Sequence, residues 1–134
     1  MTVPDRYVHA RQPMSVIQLY DYKAKVVRWK DGDTLVAAIS LGFDIYTEQS
    51  LRLARIDTPE THGAAACDEG IEAWKFVQHL LPSGTAIFVR TLKTRSGRER
   101  ETLGRLVAEI FFGDLTNLSD YLVEQGHAKL RSYT

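Results

Sequence analysis

Apolar residues recur at every second position in several stretches of the chain, and at helical spacing in two others. Val16 to Trp29 is rich in β-branched and aromatic residues and reads as one strand or a pair of short ones. Asp31-Gly32-Asp33 is a turn signal. Leu35, Ala37, Ile39 and Leu41 then alternate, placing one strand face on a core, and Gly42 marks the end of that strand. Tyr46 to Ile56 is a third strand, with Leu51 and Leu53 on one face and Arg52 on the other. Arg55 falls on the leucine face, which predicts a bend or bulge just before Asp57, and Pro59 fits the strand's end. Thr61 to Cys67 reads as a surface loop. Asp68 and Glu69 suit the positive end of a helix whose apolar positions are Ile71, Trp74, Phe76, Val77, Leu80 and Leu81, stopped by Pro82-Ser83-Gly84. Thr85 to Leu92 is a fourth strand. Leu106, Ala108, Ile110 and Phe112 alternate along a fifth, closed by the turn Gly113-Asp114. Asn117 can cap a short helix with Leu118, Tyr121 and Leu122 inward, ended by Gly126.

The order is three strands, a helix, two strands, a helix. Short strands at regular spacing predict a mainly β fold with some α, a five-stranded OB-like barrel with the first helix between its third and fourth strands. The chain of 134 residues is long enough to bury a core without staples. It divides into a loose arm over 1–14 and a single domain over 15–134, with no repeat or low-complexity segment.

A hydrophobic share of 44% and a charged share of 25% are those of a globular protein. The single cysteine, Cys67, excludes an intrachain disulfide. The opening residues lack the apolar run of a signal peptide, and nowhere do the ~18 apolar residues of a membrane span occur. A cytoplasmic protein with no membrane partner is therefore expected, unless a leader precedes this sequence. The net charge of zero argues against a general nucleic-acid coat. Positive charge is concentrated locally, in Arg90, Lys93, Arg95, Arg98, Arg100 and Arg105. Such a block can steer a polyanion, although basic blocks are more often solvated loops.

Two acidic clusters carry the candidate chemistry: Asp31-Gly32-Asp33 and Asp57-Thr58-Pro59-Glu60. A phosphodiester resists attack because its anionic oxygens repel a nucleophile. A catalyst must neutralise that charge, place a water in line and stabilise the crowded phosphorane. Hard divalent cations suit the first task and prefer oxygen ligands. Asp33 and Asp57 are candidate carboxylate ligands, and the Thr58 carbonyl, stiffened by Pro59, adds a backbone oxygen. Glu60 is placed to orient or deprotonate the attacking water. Arg52 and Arg105 can each donate paired hydrogen bonds to phosphate oxygens, a geometry that lysine lacks.

Taken singly, these features have plainer readings. An Asp-Gly-Asp turn is usually only a turn, and a strand-face arginine is usually in a surface ion pair. His9, His62, His79 and His127 lack zinc spacing. Trp29 and Trp74 read as core rather than as base-stacking platforms, and Cys67 has no evident catalytic partner.

In combination, DGDT, LRLARIDTPE, LGRLVAEI and LVEQGHAKL resemble the staphylococcal nuclease (thermonuclease-like) family in order and spacing, over roughly residues 20 to 131. DGDT alone is a common string. An arginine five residues before the Asp of an Asp-Thr-Pro-Glu block, with a Gly-Arg downstream, is specific. The resemblance implies an OB barrel and a calcium-dependent endonuclease of DNA and RNA that cleaves the bond to the 5′ oxygen and leaves 3′-phosphate ends. It implies that Asp33, Asp57 and the Thr58 carbonyl hold the calcium ion, and that Arg52, Glu60 and Arg105 are catalytic. It also implies that Asp31 interacts with water around the metal.

Thr102 and Leu103 stand where the best-known member has a lysine-tyrosine pair that helps bind a terminal phosphate. Ser132 and Thr134 stand where tyrosines line the base site, with Tyr133 one place off, so that stacking on a base is weaker or falls to Tyr133. With Lys93, Arg95, Arg98 and Arg100, Tyr133 completes the expected nucleic-acid contacts. The sequence stops where the family's third helix would begin, so the barrel stands alone or another body, such as a second subunit, covers that surface. The competing reading is a non-catalytic OB module that grips nucleic acid or a protein partner. The presence of every acid favours the enzyme.

Overall fold

The computed structural model describes residues 20–63, 67–93 and 104–131. The predicted arm, Arg95, Arg98, Arg100, Thr102, Leu103, Ser132, Tyr133 and Thr134 lie outside the described residues. Five strands carry the fold: β1 (Asp21–Asp31), β2 (Thr34–Ser40), β3 (Tyr46–Leu53), and further along β5 (Ala86–Leu92) and β6 (Leu106–Phe112). Between β3 and β5 come a short β4 (Ile56–Asp57) and the helix α1 (Asp68–Leu80). After β6 follow β7 (Thr116–Asn117), α2 (Leu118–Glu124) and β8 (Lys129–Leu130).

The five long strands pair in the order β3-β2-β1-β5-β6, and a parallel pairing of β3 with β6 closes the ring. The other pairings within the ring are antiparallel. This is a mixed five-stranded barrel with two helices, consistent with an OB fold. β1 is long because it serves two neighbours. Its first half, Asp21 to Lys25, pairs with β5, and Ala24 to Asp31 pairs with β2. Its register shifts twice, between Val26 and Arg28 and between Trp29 and Asp31. Such irregularities bend a strand so that it can turn a barrel corner. The second one lies directly before the acidic turn.

Inward positions of the strands fill the barrel. Leu35, Leu51, Val89 and Ile110 are each at most 1% exposed, and Leu118 and Leu122 of α2 are fully buried. Truncating one such leucine to alanine typically costs about 2–5 kcal/mol. α1 packs across β1 through Gly70, Ala73 and Val77. Two indoles fasten it. Trp29 donates from Nε1 to the Leu81 carbonyl at 3.0 Å, and Trp74 donates from Nε1 to the Trp29 carbonyl at 2.9 Å. Both tryptophans are structural, as expected.

The alternation misplaces some details. Leu41 lies beyond β2 and is 50% exposed, because the chain has already entered the turn to β3. Ile71 is 38% exposed, because the small residues Gly70 and Ala73 seat α1 closely and rotate Ile71 to the rim. The third strand is not continuous to Ile56. It breaks at Ala54 and Arg55, with Arg55 at φ 68°, which is the bend expected before Asp57. Asn117 caps α2 as expected, its side chain accepting from the Asp120 N–H at 3.2 Å.

Candidate active site

Asp31 and Asp33 flank the turn from β1 to β2. The Asp33 N–H donates to Asp31 Oδ1 at 3.0 Å, a local bond that Asp side chains make readily in turns. The register of β2 on β3 puts Arg52 opposite Thr34, one residue past the turn. Arg52 alternates out of the leucine face, as expected, yet it is only 5% exposed, because the acids roof it. Its Nη1 donates to the Leu53 carbonyl at 2.8 Å and lies 3.4 Å from Asp33 Oδ2. Its Nη2 is paired with Asp57 Oδ1.

The bend at Arg55 delivers Asp57 to this place, and an anchored network holds it. Arg55 donates from Nε to Glu109 Oε1 at 2.5 Å, pairs with Asp120 at 2.9 Å and reaches Asn117 Oδ1 at 3.3 Å. Asn117 donates in turn to Glu109 Oε2 at 2.7 Å, and the Ser119 hydroxyl donates to the Ala54 carbonyl at 2.8 Å. These contacts offset the unfavourable left-handed backbone of a residue with a Cβ. Beyond the bend, the Thr58 N–H donates to Asp33 Oδ2 at 3.2 Å, joining the two acidic clusters directly.

Glu60 is seated from below by the start of α1. The Cys67 N–H donates to the Glu60 carbonyl at 3.1 Å, and the buried Thr61 hydroxyl donates to the Gly70 carbonyl at 3.3 Å. Arg105, just ahead of β6, donates from Nη1 to Thr34 Oγ1 at 3.1 Å, and that hydroxyl lies 3.2 Å from Asp33 Oδ1. The buried Thr34 therefore connects the arginine to the acid.

One open cleft of about 460 Å³ gathers these groups. Asp31, Asp33, Arg52, Asp57, Thr58, Glu60 and Arg105 all line it, together with Pro59, Thr61 and Arg131. The structure thus assembles every residue proposed from the sequence for the metal and for catalysis. Lys93 is exposed just after β5 and is not among the lining residues. Thr34, Gly70 and Arg131 were not singled out by sequence reasoning. Thr34 was visible as the last letter of DGDT, and Arg131 as the residue after the short Lys129–Leu130 strand.

Charge in the cleft is balanced locally. Burial, aided by the hydrogen bond and negative charge of Asp33, pushes the Asp31 carboxyl up to about 6. For Asp33, burial acts in the same sense. It is outweighed by the hydrogen bond with Asp31, the Arg52 charge and the Thr58 N–H, which hold the group below the ordinary carboxylate range. The first proton taken up by this pair therefore sits on Asp31, and Asp33 remains an anion.

The donors suit a hard cation. Carboxylate and backbone oxygens line the cleft, and neither histidine nor cysteine does. Among the described residues no group of three or more His, Cys, Asp or Glu is arranged as a metal cage. A set of two carboxylates and one carbonyl is below that count, and leaves most coordination positions to water and a phosphate. His62 meets the Lys30 carbonyl and the Trp74 ring, and His127 stacks on Phe76 at 4.3 Å, which are structural placements.

No curated protein matches the chain. A family model described as staphylococcal nuclease homologue matches residues 50–134, well over half of it. That segment carries Arg52, Asp57, Thr58, Glu60 and Arg105. Asp31 and Asp33 lie upstream of the match and reach the same cleft through the β1–β2 turn. The chain belongs to the staphylococcal nuclease homologue family.

Proposed function

We propose that the protein is a calcium-dependent nuclease that hydrolyses phosphodiester bonds of DNA or RNA by in-line attack of water and leaves 3′-phosphate ends. Family membership suggests nuclease activity. The observation that carries the finer reading is the convergence of Asp33, Asp57, Glu60, Arg52 and Arg105 on one cleft from segments far apart in the chain.

In this reading Asp33, Asp57 and the Thr58 carbonyl hold the calcium ion, whose charge offsets that of the phosphate oxygens. Asp31 holds water beside it. Glu60 takes the proton of the attacking water as its oxygen bonds to phosphorus and the bond to the 5′ oxygen breaks. Arg52 and Arg105 donate to the equatorial oxygens, where charge builds up in the transition state. Arg52 enters this role already oriented, because its Nη1 bond to the Leu53 carbonyl fixes the guanidinium plane.

The test is a plasmid-nicking assay with calcium and with chelator. Nicking that requires calcium is expected. Binding of the plasmid without nicking under either condition would instead identify a non-catalytic OB module.

A further inference from the structure

Arg131 is the third guanidinium of the cleft. Its place is set by the backbone. β4 pairs with β8 through Ile56 with Leu130 and Asp57 with Lys129, and the Arg131 N–H extends that ladder by donating to the Arg55 carbonyl at 2.7 Å. The same bend that delivers Asp57 therefore carries Arg131 to the cleft wall. Its Nε lies 3.9 Å from Asp57 Oδ2, an ion-pair separation longer than a hydrogen bond. Its side chain is 48% exposed, against 7% for that of Arg52. The buried arginine sits on the acids at the floor, and Arg131 stands at the rim with donors facing solvent.

We infer that Arg131 is a substrate-binding residue that grips a backbone phosphate next to the scissile one, so that the cleft favours chains over single nucleotides. This rests on the nuclease reading. A guanidinium at the rim matches phosphate geometry in paired fashion, whereas an ammonium offers only a point charge. A phosphate contact outside the reacting centre strengthens binding equally in the ground and transition states, and so acts on KM rather than on kcat.

The test compares the intact protein with Arg131→Ala and Arg131→Lys on a defined single-stranded oligonucleotide in calcium, across a salt series. For Arg131→Ala, KM should rise about 5- to 10-fold at low salt with kcat within about twofold. The slope of log KM against log salt should become shallower by about 0.7, the loss of one single-strand phosphate contact. Arg131→Lys should restore the slope and only part of the KM. Calcium affinity by calorimetry and the melting temperature should be unchanged. An unaltered KM and slope, or a changed calcium affinity with an unaltered slope, would overturn the inference and leave Arg131 as a partner of Asp57 alone. If the unmutated protein cleaves nothing, the nuclease reading fails first, and the inference with it.

Discussion

The backbone of Glu60 lies directly against Gly70 in the first turn of α1. A methyl group built on Gly70 would fall well inside contact of the Glu60 carbonyl oxygen and 2.8 Å from that of Pro59. Only glycine lets the helix approach the loop this closely. Gly70→Ala gains about 1 kcal/mol in helix propensity and loses about 1–3 kcal/mol to overpacking, so stability changes little or falls modestly. The loop is the softer side and should give way. Turnover should drop about 10-fold or more as Glu60 moves, with calcium affinity close to that of the parent, because Asp33 and Asp57 are seated elsewhere. Kinetics and calcium calorimetry on the purified variant check this.

Removal of either catalytic arginine should cost about 3–4 kcal/mol of transition-state stabilisation, a loss of about 100- to 1,000-fold in kcat/KM, by analogy with a single oxyanion donor. The two differ in stability. Arg52 is buried on Asp33 and Asp57, so Arg52→Ala leaves two acids unneutralised and should lower the melting temperature. The same change removes a cation that competes for those acids, so calcium should bind more tightly. Arg105→Ala loses one hydrogen bond to Thr34 among its contacts, and its melt should move less. Unchanged turnover in both variants would count against the assignment.

Glu60→Gln keeps a neutral oxygen in place but cannot take a proton. We expect calcium binding to persist while hydrolysis slows by about 100-fold or more. A variant that loses calcium in calorimetry would show that Glu60 is a ligand rather than the base.

In chelated protein the acidic turn should leave a pH signature. The Asp31 carboxyl is raised from 3.8 to about 6, so burying it ionised opposes folding above that range. As pH falls through about 6 toward 4, the group takes up its proton in the folded state and the penalty disappears. Asp31→Asn, which keeps an acceptor for the Asp33 N–H, should therefore stabilise the chelated protein at pH 8 by about 1 kcal/mol, allowing for solvent screening at a half-exposed site. The gain should vanish near pH 4. Asp33 has the opposite sign: held below its ordinary range, it contributes stability that is lost only as pH drops below that range. A gain independent of pH, measured by denaturant melts, would contradict this.

The sequence carried the barrel well where the period was long enough to read. Leu106, Ala108 and Ile110 alternate over a whole strand and are all buried, and Leu118 and Leu122 are spaced for the buried face of α2. The two-residue strands β4, β7 and β8 hold no period at all, and so the ladder of Asp57 with Lys129 was invisible. The site itself was legible through residue types and motif order, because DGDT and IDTPE contain the charged groups side by side. What was missing was everything that arrives through backbone pairing or close approach. Arg131 enters by one extra hydrogen bond to Arg55, and Gly70 matters only because Glu60 lies against it. The Arg55–Glu109 pair, 54 residues apart in the chain, likewise exists only once β6 has closed on β3.

The most direct test of the central claim is the end chemistry of the products. Single-stranded DNA, duplex DNA and RNA would each be digested in calcium, with a chelated reaction alongside, and the termini of the fragments identified. The account requires 3′-phosphate and 5′-hydroxyl ends that form only with calcium. Fragments bearing 5′-phosphates, or cleavage that continues undiminished in chelator, would contradict it.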